Sequence, residues 1–185
     1  MMSNSNQPTL LAFEERFSVT EQSYESGFSV ENIIDFEQAA ADVLTAIIAL
    51  EQMSYEHVDP DSKGITSDIL RLEQKLDFIT ELLAKSLQSQ QEKLEKNNIK
   101  MSAENVFWNS SISINKGGFC LLSIYLSDKY PTPLQLPVEV ISSEVNKLGL
   151  TEHCGRILLS DEKVIDDLTR MVFLYHRRQI ARNRT

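Results

Sequence analysis

Residues 99–108 read IKMSAENVFW, and three further stretches repeat their character: GFCLLSIYL (118–126), LQLPVEVISSEV (134–145) and CGRILLS (154–160). Each has the length and the β-branched or aromatic content of a strand. Loops carrying Gly117–Gly118 and Pro131–Pro133 separate them. Short strands at this spacing, with no helix between them, predict an antiparallel barrel or sandwich and exclude a βαβ sheet. Within the first stretch Ser102 stands between Lys100 and Asn105, where a serine serves either a turn or a bound ligand.

Upstream the period changes. In SVENIIDFEQAAADVLTAIIALEQM (29–53), Ile33, Phe36, Ala40, Val43, Ile47 and Leu50 follow at spacings of 3, 4, 3, 4 and 3, the seam of an amphipathic helix over about 30–55. Ser29 is its expected N-cap, with Asn32 where a capping box carries Glu or Gln. Pro60 and Gly64 interrupt the pattern, and a second helix is expected over about 65–96. There Ile65, Ile69, Leu72, Leu76, Ile79 and Leu83 recur at 4, 3, 4, 3 and 4. At 1.5 Å per residue this helix is about 45 Å long. Leu70, Phe78, Leu82 and Leu87 widen its apolar face beyond what one short partner covers. Helices from other copies would bury that face, whereas a hairpin of the two helices packed on the β domain is the intramolecular alternative. The stripe is the expected oligomer interface.

The last segment, SDEKVIDDLTRMVFLYHRRQIARNR (160–184), predicts a closing helix over about 161–183 with Ser160 as N-cap. Val164, Leu168, Met171, Val172 and Tyr175 form its inward stripe. Residues 1–29 are polar with scattered Phe17, Tyr24 and Phe28, and read as loosely ordered. The expected order is therefore a loose segment (1–29), a helical oligomerisation segment (30–97), and a β domain with its terminal helix (98–185). The fold class is α+β.

Net charge is −9, and the five arginines from Leu168 onward, unaccompanied by any acid, leave −14 on the first 167 residues. An acidic body argues against general nucleic-acid binding. No apolar run approaches a membrane span, and MMSNSNQPTLLAFEERF lacks the basic and apolar regions of a secretory signal. Two cysteines, Cys120 and Cys154, make no disulfide framework. The expected setting is cytoplasmic.

Catalytic groups do not converge in this sequence. His57, His153 and His176 fall in three segments, and His153 and Cys154, adjacent in a strand, point to opposite faces. Metal-ligand spacing is absent, as are the P-loop, G-x-G-x-x-G, G-x-S-x-G and H-E-x-x-H motifs. We expect neither an enzyme nor a metal.

From about Leu72 to Arg184 the chain resembles a PilZ-type domain, the small barrel of bacterial cyclic di-GMP signalling, and specifically its atypical, tetramer-forming branch. RLEQKLDFITELLAKSL (71–87) resembles the bundle-forming helix that precedes the barrel in that branch. IKMSAENVFW sits where the family carries its N/D-x-S-x-x-G strand, at a fitting distance from GGFCLLSIYLSDKYPTPLQLPVEVI (117–141). VIDDLTRMVFLYHRRQIARNR (164–184) resembles the closing helix with its Arg-rich end. The resemblance implies a small antiparallel PilZ-like β-barrel carried on an oligomeric helical bundle of four copies.

The departures bear on the ligand. Ligand-binding members have R-x-x-x-R ahead of the barrel, whose guanidiniums grip guanine and phosphate. Here LQSQQEKLEKNNIK (87–100) contains no arginine. The acid of the second motif is replaced by Lys100, which only donates. Ser102 is kept, and Asn105 replaces the glycine as a residue tolerant of the left-handed conformation. Ser102 is therefore expected to shape a turn. Arg178 and Arg182 restore an R-x-x-x-R spacing on the last helix, so Lys100, Ser102, Asn105, Arg178 and Arg182 are the residues of a rearranged nucleotide site if one exists. The expected function is a non-enzymatic oligomeric adaptor in cyclic di-GMP-linked regulation, acting on an unidentified regulatory protein and without a cofactor. The alternative is a cyclic di-GMP receptor using the rearranged site.

Overall fold

The computed structural model describes residues 11–53, 69, 72, 76, 79, 80, 96–127, 130–146 and 149–183. Six antiparallel strands close into a barrel: β1 (Ala12–Tyr24), β2 (Lys96–Ser102), β3 (Asn105–Ser110), β4 (Phe119–Tyr125), β5 (Leu134–Val145) and β6 (Thr151–Ile157). The order around it is β1-β2-β3-β6-β5-β4, so the two β1 edges complete the ring. Helix α1 (Val30–Met53) lies against β5, helix α2 (Glu162–Arg182) lies against β1, and the two helices touch each other.

The expectation of a loose 1–29 segment is corrected by β1. Residues 12–18 pair with β2 and residues 18–24 pair with β4, the partner changing at Ser18. Phe13 and Phe17 are buried while Glu14 and Arg16 face water. A strand shared between two neighbours needs few apolar residues of its own, because the opposing strands supply the core. The barrel interior is filled in alternation by Ile99 and Met101, Val106 and Trp108, Cys120, Leu122 and Ile124, and Leu134, Leu136, Val138 and Val140. Gly155 leaves room for the indole: a Cβ there would lie 3.0 Å from the Trp108 ring and 3.2 Å from Val138.

Helix α1 also departs from its expected place. Ala40, Val43, Leu44, Ile47 and Ile48 are buried within this one chain, so α1 is a wall of the β domain. Its entry is the reciprocal cap expected at Ser29: Asn32 N–H donates to Ser29 Oγ (3.1 Å) and Ser29 N–H donates to Asn32 Oδ1 (3.2 Å). The α2 stripe is buried at the five expected positions. Tyr175 anchors it, stacking on Phe13 at 4.9 Å, meeting Phe17 edge-on at 5.9 Å, and donating its hydroxyl to the Leu126 carbonyl at 3.1 Å.

Asp161, not Ser160, caps α2, accepting from Val164 N–H at 3.0 Å. Ser160 is diverted to Glu37 of α1, whose Oε1 accepts from the Ser160 amide, from Ser160 Oγ (2.9 Å) and from the Asp161 amide (2.9 Å). Burial raises the Glu37 pKa, but these donors outweigh it and hold the carboxyl below the usual carboxylate value.

Lys96 opens β2, so the expected helix cannot run to residue 96. Earlier in that helix, Ile69, Leu72, Leu76, Ile79 and Thr80 are helical, with Thr80 Oγ1 donating to the Leu76 carbonyl at 2.8 Å. The four apolar side chains are 50 to 60 % exposed. Ile65 and Leu83, the ends of the expected stripe, lie outside the described residues. No helix among the described residues is long and apolar enough to cross a membrane.

Candidate functional site

The β2–β3 hairpin turns through Ala103 and Glu104, and Ser102 closes it. Ser102 Oγ accepts from Asn105 N–H (3.0 Å) and Glu104 N–H (3.3 Å) and donates to the Asn105 carbonyl (3.3 Å). With 6 % of its surface exposed, its hydroxyl is committed to the turn. Asn105 is not left-handed: among the described residues only Gly27, Gly117 and Gly149 have positive φ. It is the first residue of β3, paired with Arg156. Lys100 extends over the Phe107 ring of the neighbouring strand, its Nζ 5.6 Å from the centroid, a cation–π contact.

The end of helix α2 is tied to the first residues of β1. His176 Nδ1 donates to the Ala12 carbonyl (2.7 Å), and Arg182 Nη1 donates to Glu15 Oε1 (2.9 Å). Arg178, one turn before Arg182, is partly buried. Yet the strands keep these cations from converging with Lys100. Glu14 is paired with Lys100 and Glu15 with Ile99. Neighbouring residues of a strand point to opposite faces. Ile99 is fully buried, so Glu15 and its Arg182 belong to the core side of the sheet and Lys100 to the outer side. Ser102 and Asn105 thus sit at the β2–β3 hairpin, and Lys100 and Arg182 lie on opposite faces of the sheet.

The barrel also holds a polar cleft that strand patterning did not reveal. It encloses about 240 Å³ among residues that include Val19, Glu21, Asn97, Trp108 and Ser110. Glu21 accepts from Trp108 Nε1 (2.8 Å) and from the Ser110 hydroxyl. Its only sequence signal is an acid at a core-facing position of a strand that itself went unread. A carboxylate in the lining repels phosphate, so this cleft does not suit a phosphodiester.

The remaining nucleophilic groups are withdrawn. Burial, with Glu21 adding to it, pushes the Cys120 thiol up to about 12, and burial also raises Cys154. His153 is fully buried; its Nε2 donates to the Ile112 carbonyl (2.9 Å) and its Nδ1 meets Ser143 Oγ (2.8 Å). No three metal-ligating side chains converge among the described residues.

The sequence matches, over residues 44–185, the family described as "Atypical PilZ domain, cyclic di-GMP receptor". The chain belongs to the atypical PilZ family. Strand β1 precedes the matched region, although this atypical PilZ barrel cannot close without it. Among solved structures, the chain is similar to a pathogenic protein from Xanthomonas campestris, described as a tetrameric PilZ domain self-assembled via an unusual helical bundle. The two share 22 % identity at a TM-score of 0.74, covering 95 % of this chain and 93 % of that one. Among curated proteins, none matches this chain.

Proposed function

We propose that this atypical PilZ protein is a non-enzymatic, cytoplasmic oligomeric adaptor in bacterial cyclic di-GMP-linked regulation of motility, surface attachment or virulence. In this reading it contacts a regulatory protein and binds cyclic di-GMP weakly or not at all. One observation carries it: Ile69, Leu72, Leu76 and Ile79 form a helical stripe that leaves half or more of each side chain in water within a single chain. Burying the exposed half of such side chains is worth about 1 kcal/mol each, roughly half of the value for a full side chain, which favours association of copies through this seam. The Xanthomonas protein's assembly through a helical bundle supports the same seam here, and four copies with it. The weak-ligand part rests on the arginine-free stretch 87–100 and on a Ser102 hydroxyl already used by its own turn.

Light scattering on Leu72→Asp with Leu76→Asp is the test. Loss of the assembled mass supports the seam, and an unchanged mass removes it.

The family's description as a receptor favours a second reading, in which Lys100, Ser102, Asn105, Arg178 and Arg182 take part in a rearranged cyclic di-GMP site. Titration calorimetry separates the two. No heat up to about 100 µM ligand supports the adaptor, and micromolar binding abolished by Arg178→Ala with Arg182→Ala supports the receptor.

A further inference from the structure

The outward face of α1 carries acids, and that of α2 turns basic at Arg170, after the exposed Glu162 and Asp166 of its first turns. On α2, Arg170, Phe173, Arg177 and Ile180 follow at spacings of 3, 4 and 3. Both arginines are exposed, Phe173 is 49 % exposed and Ile180 41 %. On α1, the exposed residues include Val30 (77 %), Glu31, Ile34 (58 %), Asp35 and Asp42. Residues 30–53 contain no Lys or Arg, and residues 168–185 contain no acid.

Asp35 and Asp42 are seven residues apart, as are Arg170 and Arg177. Two helical turns separate each pair, about 10 Å along the axis, so each pair lies on one face at the same separation. Among the described residues, none of these four side chains makes an ion pair within the chain. Both helices set their apolar sides on the barrel and touch each other, so one molecule carries the acidic pair and the basic pair on two helices in contact.

We propose that this two-helix layer is a second self-association surface, on which α1 of one copy meets α2 of another about a two-fold axis. A two-fold contact needs a patch that is its own complement, which an acidic pair on one helix and a basic pair of equal spacing on the helix it touches provide. The Asp35–Asp42 pair would face the Arg170–Arg177 pair of the second copy, with Ile34 packing near Phe173 and Ile180 and excluding water between the pairs. The same contact is made twice across the axis. An overall acidic chain thereby gains a specific attraction for its own copy, and that attraction weakens as salt screens it. This surface uses none of the residues of the Leu72–Leu76 stripe.

The experiment uses the full chain carrying Leu72→Asp and Leu76→Asp, in which the stripe is disabled, followed by sedimentation velocity over a concentration series. The expected result is a residual dimer that dissociates as salt rises from about 0.1 to about 1 M. Adding Arg170→Glu with Arg177→Glu, or Asp35→Arg with Asp42→Arg, weakens that dimer by about a hundredfold. An equimolar mixture of the two reversed proteins dimerises again, because every contact in the mixed pair regains opposite charge. Recovery in the mixture also shows that both variants are folded. For the uncharged part, Phe173→Ser weakens the dimer without changing its salt slope.

A stripe variant that is monomeric at all concentrations overturns the proposal. So do a dimer indifferent to both reversals and a mixture that fails to recover while each reversed protein melts like its parent.

Discussion

Two helical stretches of this chain share one pattern and meet opposite fates. Leu168, Met171, Val172 and Tyr175 of α2 repeat at helical spacing and are at most 2 % exposed, whereas Ile69, Leu72, Leu76 and Ile79 repeat in the same way and stand 50 to 60 % exposed. Periodicity reports that a helix has an apolar face. What covers that face depends on whether the fold places a complementary surface within reach. For α2 the barrel does so through Phe13 and Phe17, which come from a strand more than 150 positions away. For the 69–80 stretch the described part of the chain offers no cover.

Substitutions break or sharpen that contrast. Leu168→Ala should lower unfolding stability by about 2–5 kcal/mol in urea denaturation, as for a buried leucine. Leu72→Ala, measured where the chain is monomeric, should stay within about 0.5 kcal/mol. Equal effects at both positions would mean that the 69–80 face is covered within its own chain.

The α1–α2 junction gives the next largest effect. Glu37→Ala leaves the Ser160 and Asp161 amides without their acceptor and should cost about 1–3 kcal/mol. Because the Glu37 pKa is lowered on folding, its contribution is complete above the ordinary carboxylate pKa and lost as pH falls through the lowered value. Glu37→Gln, which keeps an acceptor oxygen, should flatten that acid-side dependence and cost less than the alanine.

Smaller still, Ser102→Ala should cost about 0.5–1.5 kcal/mol and speed amide exchange at Glu104 and Asn105. If it instead leaves stability unchanged while altering ligand binding, the turn assignment fails. Smallest is Arg182→Ala. The pair with Glu15 is 54 % and 29 % exposed on its two sides, so its loss should stay below about 1 kcal/mol and vanish in high salt.

Several features were legible before any coordinates because they depend on neighbours along the chain. The Ser29–Asn32 cap, the five inward residues of α2 and the strand character of 99–108 follow from local hydrogen-bond geometry and from periods of 3.6 and 2. Ser102 as a turn residue belongs with them, since its partners lie two and three positions on. Others were hidden because their cause lies far away. Ser160 loses the cap to Asp161 because Glu37, 123 residues earlier, claims its hydroxyl. Strand β1 reads as polar because the strands it joins provide the apolar surface.

The candidate site divides in the same way. The amino-acid sequence by itself determined which groups this chain has to offer: no arginine in the 87–100 stretch, a lysine in place of an acid, and an Arg-rich final helix. Only the tertiary structure decided where those groups point. Pairing β1 with β2 sets Lys100 on the outer face and Glu15, with Arg182, on the core side. The period of a strand says that neighbours diverge, but which face is inward is fixed only when the barrel closes around its core.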